Sequence, residues 1–175
     1  ITQCQGTAPI SISSAVVASV GGTLIYYTVP TGGTATTTAP TPGTTISGTT
    51  IYYVSQKNDV SGCESARATI SVTISATNTW TGATNNLWNE ASNWSCGVVP
   101  NSSNDIVISS GTPTLNTDLT IPVGKSLTIS GTGALIIAPG KTLTIAGSAD
   151  FGGKAVIFQS DATGSGLFGP LTGTV

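Results

Sequence analysis

Val123-Gly124-Lys125-Ser126-Leu127-Thr128-Ile129 recurs as Pro139-Gly140-Lys141-Thr142-Leu143-Thr144-Ile145, an offset of about 16 residues. Leu119-Thr120-Ile121 precedes the first copy much as Leu135-Ile136-Ile137 precedes the second. A short apolar-alternating run, a Gly turn and a second short run, repeated at a fixed interval, are the marks of a β-solenoid, in which each coil buries its apolar side against its neighbours. Leu127/Ile129 and Leu143/Ile145 are therefore expected to stack as ladders inside the coil. Lys125 and Lys141 are expected on the turn edge, in water. Ala155–Phe158 and Leu167–Leu171 read as further, less regular rungs, and a second β-sandwich is the alternative architecture for this half.

Working outward, the rest of the chain also reads as strands. β-Branched residues dominate, Gly and Pro punctuate at short intervals, and helix signals are nearly absent. The composition shifts near Ser75–Thr79: both Tyr pairs lie before it, all three Trp and all three Phe after it. Two domains are expected, 1–77 and 78–175. In the first, Thr23–Val29, Thr49–Ser55 and Ala68–Ile74 are strand-like, with Ile70, Val72 and Ile74 facing one way, and Ile10–Val20 alternates unevenly. The Gly/Pro/Thr stretch between the two Tyr-pair strands reads as turns with a short edge strand. About seven short strands suggest a small β-sandwich. The fold class is thus all-β, an Ig-like β-sandwich followed by a short β-solenoid-like domain.

Composition narrows function. Of 175 residues, five are Lys or Arg and seven Asp or Glu, for a net charge of −2, with no His and no Met. Hydrophobic residues make up 38%, too many for a chain disordered by low hydrophobicity and high charge. Five scattered cations cannot form the footprint of a nucleic-acid binder. General acid–base chemistry has almost no candidates, so an enzyme is not expected. No apolar run approaches the roughly 20 residues of a membrane-spanning helix, so no membrane insertion is expected. The chain opens at Ile1 and reads as a processed product or an excerpt of a longer polypeptide.

Two stretches carry a resemblance. Cys4-Gln5-Gly6, then YYTVPTGG (26–33), APTP (39–42), TTIYYVSQ (49–56) and GCESAR (62–67) resemble the Ig-like repeat of secreted Bacteroidota surface proteins. WTGATNNLWNEASNWSCGVVPNSSNDIVI (80–108) resembles the Trp-rich opening of their repeat modules, and QSDATGSGLFGPLTGTV (159–175) the phrase that precedes a continuing C-terminal region. The resemblance implies an extracellular or cell-surface, adhesin-like protein exported by type IX secretion, with no particular activity. It also implies a Cys4–Cys63 bridge.

Three cysteines permit three single pairings. A Cys4–Cys63 loop of roughly 60 residues would contribute about 4 kcal/mol in the chain-entropy description and would place the protein in an oxidising compartment. Cys96 is then left as a buried thiol, a link to another chain or a ligand-like thiol. With no His and no Cys-x-x-Cys, no zinc or other cofactor is expected. Trp80, Trp88 and Trp94 allow two readings: a platform on which sugar rings stack, or a plug for the open end of the solenoid, where large aromatic burial is valuable. Asn86, Glu90, Asn93, Asn104 and Asp105 are oxygen ligands of the kind calcium uses but read as surface or turn residues, as do Asp118, Asp150 and Asp161. Asn93-Trp94-Ser95 and Asn101-Ser102-Ser103 fit the glycosylation sequon.

A short solenoid leaves the backbone of its last coil unpaired, and a low-charge edge invites another chain. The expected function is a structural subunit of an extracellular filament or long surface adhesin. It would join copies of itself, or adjacent repeats, head to tail through Ile1 and Thr2 at one end and Leu167, Phe168, Leu171 and Val175 at the other. The alternative is a carbohydrate-binding module using the Trp cluster, with glycans as partners.

Overall fold

The computed structural model describes all 175 residues. The chain forms two compact units, Ile1–Ser75 and Ala76–Val175. Neither contains an α-helix, and the only helical turns are short 3-10 segments at Ile12–Ala15 and Ala91–Asn93.

The first unit is built on one four-stranded sheet. Its strands are β1 (Thr2–Cys4), β2 (Gly22–Tyr27), β3 (Gly48–Asn58) and β4 (Ala68–Ser75), in the order β1-β4-β3-β2. β2, β3 and β4 pair antiparallel, while β1 lies parallel to β4 with Cys4 opposite Ser75. The Ile1 ammonium donates to the Ser71 carbonyl at 2.8 Å, so the first residue is tied to the sheet. Alternation along β4 places Ile70, Val72 and Ile74 on the buried face with Tyr26, Val54 and Ile12, as the period-two pattern requires.

The expected seven-stranded sandwich is not what covers that face. Ile10–Val20 forms a 3-10 turn instead of a strand, with Ser11 capping it by accepting from the Ser13 N–H. Short hydroxyl side chains offer the backbone such local partners in place of a ladder. Ile12 is driven completely out of solvent, its N–H bonded to the Pro40 carbonyl. The 28–47 stretch contributes a single bridge, Tyr26 to Thr36, because prolines remove ladder donors. The second layer of this Ig-like unit is therefore irregular chain pinned by one isoleucine.

A polar knot closes the far side of the sheet. Glu64 accepts from the Tyr27 and Ser55 hydroxyls, at 2.6 and 2.5 Å, and Arg67 lies 3.2 Å over the Tyr27 ring. Those two hydroxyl bonds, helped by the Arg67 and Lys57 charges, hold the Glu64 carboxyl below its ordinary range. A lowered folded-state pKa contributes stability that is complete above the unfolded value, near 4.3, and is lost as pH falls through the folded one. Glu64→Gln is expected to lower stability at neutral pH and change it little once the carboxyl is protonated, so that the acid limb below about pH 4.5 flattens. Acid titration of thermal melts would show this, and an unchanged acid limb would refute it.

The second unit is a three-faced parallel solenoid. The strands are β5 (Thr77–Thr79), β6 (Asp105–Ile108), β7 (Thr114–Leu115), β8 (Leu119–Ile121), β9 (Ser126–Ile129), β10 (Leu135–Ile137), β11 (Thr142–Ile145), β12 (Ser148–Asp150), β13 (Val156–Phe158), β14 (Ser160–Asp161), β15 (Gly164–Ser165) and β16 (Leu167–Leu171). One face carries β5, β6, β9 and β12, a second β7, β10 and β13, and a third β8, β11 and β16. The antiparallel hairpin β14–β15 interrupts the last coil. Ile106, Ile108, Leu115, Ile121, Leu127, Ile129, Leu135, Ile137, Leu143 and Ile145 fill the interior, none more than 2% exposed.

The two copies of the repeated phrase do share this core, but not one ladder. Leu127 pairs with Ile106 and Ala149, whereas Leu143 pairs with Leu119 and Phe168. A coil is the step from Leu127 to Ala149, about 22 residues. The shorter offset carries the chain past two corners onto a different face, and the repeat is therefore one of corner chemistry. Both corners need Gly in the left-handed region, Gly124 at φ 78° and Gly140 at φ 67°, which glycine adopts without strain. Lys125 and Lys141 close these turns and are half-buried, less exposed than expected. Carboxylates tie coil to coil: Asp105 accepts from the Ser126 N–H and hydroxyl, and Asp118 from the Thr142 N–H.

Candidate assembly interface

The two ends of the solenoid differ. At the entry end, Trp80, Trp88 and Trp94 are 4%, 1% and 2% exposed and belong to the same core as the ladders. Trp94 packs edge-on against both neighbours, with centroids 5.2 Å from Trp80 and 4.6 Å from Trp88. Its Nε1 donates to the Trp88 carbonyl at 2.8 Å. The exposed, coplanar rings of a sugar platform are absent; the cluster is a plug, satisfied in the geometry aromatic quadrupoles prefer.

Buried asparagines shape the loop that holds the plug. Asn93, fully buried, accepts from the Thr84 and Asn85 N–H groups and donates to Asn85 Oδ1 and the Leu87 carbonyl. Its amide is therefore inaccessible to a glycosyltransferase, and the Asn93 sequon is a structural coincidence. Asn101 is exposed, its Oδ1 accepting from the Ser103 N–H in a local turn. Asn78 bridges the Val98 carbonyl and the Cys96 N–H. Glu90 caps the Ala91–Asn93 turn through Ser92.

The cysteines depart from the expected staple. Cys4 and Cys96 are the disulfide-bonded residues, and Cys63 is a free, exposed thiol. Sheet geometry explains why Cys4 and Cys63 do not meet. Cys4 lies opposite Ser75 at one end of β4, while Cys63 follows the turn at the Asn58 end of β3, beyond Ala68. An eight-residue strand separates those ends by about 25 Å, and a disulfide requires Cα atoms within about 7 Å. Cys96 is thus neither a buried free thiol nor a spare one.

At the exit end apolar side chains of the last coil are exposed. Phe158 continues the ladder of Ile137, Phe168 that of Leu143, and Leu171 that of Ile145. In the coil below, these inward positions are fully buried; in the last coil they are 43%, 38% and 52% exposed. Their register places them facing in. Phe168 stacks at 5.0 Å from Phe158 and 6.2 Å from Phe151, making an aromatic floor. β12, β13 and β16 are each the last strand of their face. Only a Thr174 bridge to Ser148 begins a further rung. Leu167 and Val175 extend the apolar surface at the rim, 55% and 60% exposed. Covering the exposed half of each inward side chain would stabilise on the order of 1 kcal/mol apiece. At the other terminus Thr2 is exposed on the edge strand β1, and Ile1 is half-buried. Phe151 and Phe158 were not legible as edge residues, since only the coil length aligns them with the ladder.

Residues 1–76 match the family described as "Ig-like domain CHU_C associated". The N-terminal unit is an Ig-like domain of the CHU_C-associated kind. Residues 79–162 match a "Domain of unknown function (DUF8693)", which covers the Trp plug and most of the solenoid. No curated protein and no solved structure matches the chain. The CHU_C-associated Ig-like domain, joined to a β-solenoid and accompanied by a disulfide, is consistent with a secreted, non-cytoplasmic structural protein. No helix is long and apolar enough to cross a membrane.

Proposed function

We propose that this chain is a non-catalytic structural subunit of an extracellular filament or long surface adhesin of a Bacteroidota-type secreted protein, exported by type IX secretion and joined head to tail. The observation that carries the proposal is the exposed last coil. Phe158, Phe168 and Leu171 register with fully buried positions of the preceding coil yet are 43%, 38% and 52% exposed, an apolar surface that the next copy or an adjacent repeat would cover, while the other end of the same solenoid is sealed by three tryptophans. An apolar end with unpaired strand edges is a template for pairing. Within β16 itself Pro170 is the one edge-blocking residue. Contact between unlike ends does not close on itself and propagates.

Sedimentation velocity over a concentration series tests this. The expected result is a distribution that grows with concentration without settling at a closed size. A single monomeric species at every concentration would contradict it.

A further inference from the structure

In the Ig-like unit, β3 is longer than the strand beside it. β2 covers Tyr53–Asn58 and stops at Tyr27, whereas Gly48–Tyr52 pair with β4 alone. Beyond Tyr27 the chain is drawn aside. Arg67 Nη1 donates to the Val29 carbonyl at 2.8 Å, and Thr36 bonds back to Tyr26 rather than to β3. Five residues of β3 therefore have an open edge, exposed from Gly48 to Ile51 and half-buried at Tyr52.

The far side of β4 shows which backbone groups point into that edge. There the Ser71 carbonyl accepts from the Ile1 ammonium, and the Thr73 N–H donates to the Ile1 carbonyl. Both residues thus turn their backbone towards β1. Their partners across the antiparallel ladder, Ile51 and Thr49, then belong to non-hydrogen-bonded pairs and turn their own N–H and C=O away from β4. The Thr49 and Thr73 hydroxyls, 3.0 Å apart, fit the close side-chain approach of such a pair. Thr49 and Ile51 offer two donors and two acceptors, and Gly48–Tyr52 hold neither a charge nor a proline to block them.

A second copy of the same segment satisfies these groups in one register. Antiparallel pairing about a two-fold axis at Thr50 sets Thr49 of each copy against Ile51 of the other and closes four backbone hydrogen bonds. Centring on Ile51 instead would bring Thr49 against Tyr53, whose edge β2 already holds. Centring on Thr49 would bring Ile51 against Ser47, outside the strand. Side-chain sizes agree with the Thr50 centre. Tyr52 of each copy then lies across from Gly48 of the other, which sits at φ 144° with nothing within 4 Å of where a Cβ would stand. An aromatic ring beside an edge glycine is a stabilising strand pair. On the opposite face Ile51, 40% exposed, covers Thr49.

We propose that the Gly48–Tyr52 edge of the Ig-like unit joins two copies of the chain, antiparallel and two-fold. This contact is independent of the head-to-tail reading, because a two-fold contact ends with the pair and does not propagate. Five residues a side make a small interface, so the pair is transient in dilute solution and forms where copies are concentrated.

The register sets Thr50 against itself, with Cβ atoms about 4.5 Å apart, within disulfide reach. In the full chain, Cys63→Ser removes the free thiol and Thr50→Cys supplies one at the axis. Thr69→Cys in the same background, exposed on β4, is the control. Mild oxidation at high protein concentration is expected to turn the Thr50→Cys chain into a dimer bridged at position 50 of both copies, as mapped by mass spectrometry. The Thr69→Cys chain should stay monomeric. Adding Thr49→Lys/Ile51→Lys should abolish the dimer while leaving the circular dichroism of wild type, since the register opposes the cations of the two copies. Equal dimer from position 69, no dimer from position 50, or a dimer that survives the lysines would overturn the pairing.

Discussion

Trp94→Ala is expected to destabilise the solenoid unit by about 3–5 kcal/mol, the largest effect of any single truncation in that unit. The indole is 2% exposed, makes edge contacts with Trp80 and Trp88, and its N–H satisfies the Trp88 carbonyl. Truncation opens a cavity at the mouth of the ladder and orphans a buried acceptor, two costs that add. Domains of this size are stable by only about 5–15 kcal/mol, so partial unfolding of the 76–175 unit should be visible at moderate temperature. Circular dichroism during denaturant titration reads the loss without relying on the deleted fluorophore. A midpoint equal to wild type would mean the ring is a surface feature and would return the sugar-platform reading to contention.

The second large effect is on assembly. Phe168→Lys/Leu171→Lys places two cations in the last coil, where both side chains are already partly in water. Monomer stability should change little, because lysine stems can lie along the apolar floor with their ammonium groups solvated. Multimers should be lost outright, since seating a second copy would bury two unpaired charges. Equal melting temperatures with loss of fast-sedimenting species are the expected pair of results. Multimers that survive the double substitution would move the interface elsewhere.

How much of this was legible beforehand follows from the range of each interaction. β2, β3 and β4 were readable because alternation is local, and Ile70, Val72 and Ile74 are buried together as that pattern demands. The solenoid was readable from its corner glycines, Gly124 and Gly140. Its coil length was not, because corner chemistry repeats on every face while the ladder repeats once per turn. The irregular cover of the Ig-like sheet lay beyond strand counting, since serine and proline redirect the backbone at Ile12 and Pro40. The state of the cysteines escaped for a different reason. Cysteine spacing carries no information about which strand end each occupies, and only the register placing Cys4 opposite Ser75 separates it from Cys63. The exposed last coil became visible once Phe158, Phe168 and Leu171 had ladder partners.

Electron microscopy of the natively isolated protein, without added ligand at near-neutral pH, tests the central claim most directly. Continuous fibrils with an axial repeat of one chain are the predicted result. A field of dispersed single particles would contradict it.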